Sequence, residues 1–160
     1  ETARILVEFL KVAITSIVFL KGIYPPGAFE RRKYMNLVVH SARHPELRDY
    51  ILSKDAVFLI HVHFTNWGPV ERVAVIFFNS DNIPVERFMF KPLNQSYGSR
   101  MEEADLEFSL RSFFIKLPFS ESLTRVLPQV CRWEITAYFR SLPQTSTSKD
   151  AELWIPTDTQ

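Results

Sequence analysis

Few side chains in this chain have the type and spacing that chemistry requires. His61 and His63 stand two apart, so on a strand both would face one way and could share a metal. On a helix they would diverge, and no cysteine or carboxylate cluster nearby completes a ligand set. Cys131 is the sole cysteine, which excludes an intrachain disulfide or a multi-thiolate metal site. Arg132 is its only activating neighbour, so it reads as a structural thiol rather than a nucleophile. No serine lies in a GxSxG turn, and neither a GxGxxG nor a GxxxxGKS/T phosphate loop occurs. The acidic run Glu102, Glu103, Asp105 and Glu107 fits a helix start better than a metal site, because carboxylates complement the positive helix end. The residues therefore predict no catalysis, no metal and no cofactor. The rival from another class is a small hydrolase or metal enzyme built on His61 and His63.

The elements that must position any site come next. At 160 residues the chain is one domain's worth, and 46% apolar residues with 14 Phe can fill one core. Nineteen Lys and Arg against 18 Asp and Glu leave +1, so no strong pull toward nucleic acid or an anionic membrane is expected. The most apolar stretch, Ile5 to Ile23, is interrupted by Glu8, Lys11 and Lys21. Its longest charge-free run, Val12 to Leu20, has nine residues, too few to cross a bilayer. No signal-peptide pattern is present, an intracellular location is expected, and the missing initial Met suggests a fragment.

The same stretch predicts a helix. Leu6, Phe9, Leu10, Ala13, Ile17 and Leu20 share a face, and further apolar residues around it predict a central, well-covered position. Gly22 and Pro25-Pro26 end it. Residues 25–45 read as irregular, with Arg31-Arg32-Lys33 a solvated surface. A second helix is expected from His44-Pro45-Glu46, with Leu47, Tyr50 and Ile51 on its stripe, while Val57–Phe64 could be helix or strand. Arg72–Phe78 and Val85–Phe90 predict a hairpin turned by Asn79-Ser80-Asp81-Asn82. A third helix, capped at Ser99-Arg100-Met101-Glu102, would bury Leu106, Leu110, Phe113, Phe114 and Leu117 and stop at Pro118. Trp133, Ile135, Ala137 and Phe139 alternate with polar residues as in a half-buried strand. A polar stretch, Pro143 to Asp150, then leads to an apolar anchor, Leu153-Trp154-Ile155. Mixed helix and sheet with such a tail suits capture of an extended peptide along a sheet edge.

Several blocks together resemble the HORMA domain family, and within it the accessory subunits of translesion DNA polymerase zeta, also called mitotic-arrest-deficient-like protein B. They are Glu8-Phe9-Leu10-x-Val12-Ala13, Tyr24-Pro25-x-Gly27-x-Phe29 with Arg32-Lys33, and His44-Pro45-Glu46-Leu47 with Tyr50-Ile51. Val70-Glu71-x-Val73, Pro84-Val85-Glu86-x-Phe88-x-Phe90, Leu110-Arg111-x-Phe113 with Ile115-Lys116, and Trp154-Ile155 follow in the same order. YPxGxF and HPEL are particular to the polymerase branch.

The resemblance implies an α+β HORMA fold: three helices packed on a mainly antiparallel sheet, with a C-terminal safety belt. It implies a core over 1–140, with 141–160 as the start of the belt, and it favours helix over 46–65. It also implies a non-catalytic adaptor that needs no cofactor, works in the nucleus and serves DNA damage tolerance. The adaptor would clamp a proline-containing peptide of the polymerase's catalytic subunit, with Tyr24, Tyr50 and Trp154 gripping it. Arg111 matches a self-association position, implying a homodimer or a HORMA heterodimer. Relatives extend beyond the position of Gln160, so a surface for the deoxycytidyl transferase translesion polymerase is expected to be missing. The alternative within the family is a spindle-checkpoint protein that binds mitotic regulators by the same clamp.

Overall fold

The computed structural model describes residues 2–52, 70–91 and 103–139. Its first element, α1, runs Thr2–Leu20. Apolar residues nearly all round the helix put it in the middle of the molecule: Ala13, Ile14, Ile17 and Val18 are buried, and α1 touches elements on several sides. The helix ends at Gly22, whose φ of +67° suits a left-handed cap and whose N–H donates to the Phe19 carbonyl.

A short 3-10 turn at Pro26–Ala28 leads into β1, Phe29–Tyr34, which pairs antiparallel with β2, Leu37–Ala42. This corrects the expectation of irregular chain over residues 25–45. The hairpin turns at Met35 and Asn36, both at positive φ (48° and 59°), which is the twist a two-residue hairpin needs. Neither residue is glycine, and β1 carries a charged run, so the local signal was weak. Arg31, Arg32 and Lys33 are exposed, as expected of that run.

Helix α2, Pro45–Leu52, starts where the Pro-Glu pair predicted and buries Leu47 and Ile51. Its expected continuation toward residue 65, with His61 and His63, lies outside the described residues. The second sheet has the order β4-β3-β5, all antiparallel, from β3 (Val70–Phe78), β4 (Pro84–Phe90) and β5 (Arg132–Phe139). Central β3 buries Val73, Ala74, Val75 and Phe77 in a near-continuous apolar run because it is covered on both faces. The Asn79 side chain closes the β3–β4 turn by accepting from the N–H groups of Asp81 and Ile83, both at 2.9 Å.

Helix α3, Glu103–Lys116, buries Leu106, Leu110 and Phe114, and Leu117 just beyond it is buried too. Phe113 is partly buried against the same core. Phe9 of α1 packs between Phe113 and Phe114 with ring centroids 5.2 Å from each. The expected cap at Ser99–Glu102 lies outside the described residues. A 3-10 turn, Leu117–Phe119, and a one-turn helix α4, Glu121–Thr124, return the chain toward β5.

The end of α1 is fastened by a charge. The Lys21 side chain is fully buried and donates to the carbonyls of Ser122 (2.7 Å) and Arg125 (2.8 Å). Its third partner is the Glu86 carboxylate on β4, an ion pair that is itself nearly buried. Two hydrogen bonds to carbonyls and the opposite charge of Glu86 together make burial of the ammonium tolerable. The pair ties α1, β4 and the α4 region together.

Candidate peptide-binding edge

Among the described residues β5 pairs on one side only, with β3. Among those residues its other side is a sheet edge, the kind of edge whose backbone donors and acceptors can pair with an added strand. Three aromatic residues from three separate parts of the chain meet there.

Trp133 of β5 is buried, 6% exposed, and lies opposite Phe77 in the register. A buried indole N–H needs an acceptor, and it donates to the Tyr24 hydroxyl at 2.9 Å. Tyr24 is set by the cap at Gly22 and the Pro25-Pro26 turn, which stop α1 and direct the chain toward β1. Its ring also stands edge-on to Phe29 at 6.4 Å. Tyr50 comes from α2. Its ring meets Trp133 at 5.0 Å in a T-shaped contact, and its hydroxyl donates to the Trp133 carbonyl over a long 3.4 Å. Tyr50 remains 48% exposed, so it stands at the rim of the cluster rather than inside it.

Two of the expected peptide-contact residues, Tyr24 and Tyr50, are thus brought together, and Trp133 joins them. The strand pattern marked Trp133 only as an inward-facing residue. The available signal for more was chemical: a buried tryptophan must place its N–H on a partner. The third expected contact, Trp154, lies outside the described residues, as does the whole tail.

Arg111 lies elsewhere, on α3. It is half-buried, and its Nε is buried without a hydrogen-bond partner. On the same helix Phe108 is 73% exposed and Ile115 53% exposed, at spacings of three and four from Arg111, so the three share one face. Cys131 is half-buried, with its thiol on the Pro128 carbonyl. Among the described residues no group of three or more His, Cys, Asp or Glu could hold a metal ion, and no helix is long and apolar enough to cross a membrane.

No family model matches the chain. It is 61% identical over 161 residues to the DNA polymerase zeta processivity subunit of Arabidopsis thaliana, a match covering 100% of this chain and 74% of that protein. It is 30% identical over 165 residues to the mitotic spindle assembly checkpoint protein MAD2B of Gallus gallus, covering 99% of this chain and 77% of the relative. Among solved structures, a chain of a mitotic checkpoint complex superposes with a TM-score of 0.75 at 20% identity, covering 99% of this chain and 82% of that one. C. elegans HTP-2 bound to the HIM-3 closure motif superposes with a TM-score of 0.71 at 12% identity, covering 99% and 76%. These two likenesses establish the fold, and they bear out the expected α+β HORMA architecture.

Proposed function

Because the chain belongs to the family of DNA polymerase zeta processivity subunits and MAD2B proteins, we propose that it is a non-catalytic adaptor subunit of polymerase zeta. It clamps a proline-containing peptide of the catalytic subunit and so supports synthesis past damaged DNA in the nucleus. The observation that carries the reading is the meeting of Tyr24, Trp133 and Tyr50 beside β5, a strand whose outer side has no strand partner among the described residues. An extended peptide adds there as a strand, held by backbone hydrogen bonds. Proline in that peptide stacks on aromatic faces that are already fixed in place, so little side-chain entropy is lost. Tyr24 acts mainly through Trp133, since its hydroxyl oxygen accepts the indole N–H and so orients that ring.

The tail closes over the peptide and brings Trp154 to it. Release then requires reopening, so dissociation is slow. The face of α3 with Phe108, Arg111 and Ile115 serves self-association, since exposed apolar side chains beside a half-buried arginine suit a protein contact.

Calorimetric titration with proline-containing segments of the catalytic subunit tests the reading. Binding is expected, with Trp154→Ala and Tyr50→Ala each weakening it by at least about 1–2 kcal/mol. Absence of binding to any such segment counts against the adaptor reading. The relatives named for the spindle checkpoint favour a second reading, a clamp for mitotic regulators, at about half the identity. Tighter capture of a checkpoint-activator peptide than of the polymerase peptide selects that one.

A further inference from the structure

A groove away from the β5 edge runs between α1, the β1–β2 hairpin and α2, with a volume of about 260 Å³. Four cations from three elements line it: Lys11 of α1, Arg32 and Lys33 of β1, and Arg48 of α2. Glu8 is the one carboxylate in the lining, so the groove carries a formal +3 on a chain whose total is +1. Positive charge is therefore concentrated here and outweighed elsewhere. Lys11 is paired with Glu8 at 3.0 Å and Arg32 with Glu30 at 2.6 Å. Lys33 and Arg48 make no ion pair among the described residues, and both are exposed. The floor is aliphatic: Val39 and Ile51 are buried, and Val12 is partly so.

We infer that this groove is a second docking site, which takes an acidic peptide segment whose carboxylates meet Lys33 and Arg48 while an aliphatic side chain sits on the Val12–Val39–Ile51 floor. The volume falls below the usual ~300–1,000 Å³ of a small-molecule pocket, which disfavours a cofactor. Nucleic acid is disfavoured on two grounds. A chain at +1 has little long-range field for a polyanion. Single-strand binders also stack bases on free aromatic faces, and the two rings bordering this groove are engaged. His40 lies stacked on Phe19 at 3.6 Å, and Tyr34 stands edge-on to Phe114 at 5.7 Å. The site shares no residue with the Tyr24–Trp133–Tyr50 cluster, so a second segment can dock while the β5 edge is filled.

The test is fluorescence anisotropy with a labelled alternating glutamate–leucine peptide at low salt, about 50 mM. The parallel probes are its glutamine–leucine counterpart and an oligothymidylate. The glutamate peptide should bind, with a Kd below ~1 mM, and the glutamine peptide should bind about tenfold more weakly. The Lys33→Glu, Arg48→Glu double variant should lose about tenfold in affinity for the glutamate peptide. It should keep its affinity for the polymerase peptide. Should that variant melt early, Lys33→Gln with Arg48→Gln replaces it, with a loss of about threefold expected. Four results overturn the inference: no binding of the glutamate peptide, equal binding of the glutamine peptide, unchanged affinity in a folded variant, or tighter binding of the oligothymidylate.

Discussion

The bond from Trp133 to Tyr24 can be weighed by a double-mutant cycle. Tyr24→Phe removes the acceptor and strands a buried indole N–H, at a cost of about 1–3 kcal/mol. Trp133→Phe removes the donor and shrinks a side chain that is only 6% exposed. Losing roughly 40 Å² of buried ring area costs about 1 kcal/mol at the usual transfer coefficient, and the lost hydrogen bond adds about 1 kcal/mol more. In the double variant no donor is left stranded. It should therefore be more stable than the sum of the singles predicts, by about 1 kcal/mol. Urea unfolding of the four proteins measures this, provided the denaturant slope stays constant across the set. Additivity within ~0.3 kcal/mol would refute the idea that this bond orients the cluster. The cycle also bears on binding, because an indole free to tilt no longer fixes the ring of Tyr50 against the β5 backbone.

Lys21→Met should cost about 3–5 kcal/mol, since it leaves Glu86 and two carbonyls without their buried partner; a loss under ~1 kcal/mol in urea unfolding would contradict the fastening role. Burial, with smaller contributions from Glu8 and Glu107, pushes the Tyr34 hydroxyl up to about 12. Its unfolded value is near ~10, so the unfolded chain loses this proton first and stability should fall as pH rises from about 10 to 12. Tyr34→Phe should abolish that part of the alkaline loss, and an identical pH profile would show that another group is responsible. Arg111→Ala should lower the self-associated fraction in light scattering and leave peptide affinity unchanged, and an unaltered mass would remove Arg111 from the interface.

What the sequence made legible followed from strong periodicity or strong turn chemistry. The stripe of α1 and its apolar flanks announced a central helix, and Asn79 announced the β3–β4 turn. The β1–β2 hairpin was hidden because its turn residues are Met35 and Asn36, and because Glu30–Lys33 has no apolar alternation to read. There, pairing with β2 and packing of Phe29 against Phe19 outweigh local preference. Lys21 looked like an interruption in an apolar helix. Its role depends on Ser122, Arg125 and Glu86, which are far away in sequence, and no spacing rule reaches them. Tyr24 and Tyr50 were singled out by resemblance alone. Their meeting at Trp133 is a tertiary fact, created by the turn after α1 and the packing of α2 near β5.

Amide hydrogen exchange of β5, with and without a saturating proline-containing peptide of the polymerase catalytic subunit, tests the central claim most directly. A peptide added as a strand must pair with backbone groups along Arg132–Phe139. New protection is therefore expected at alternate amides of that strand, those facing away from β3. Saturating binding that leaves every β5 amide unchanged would contradict the account.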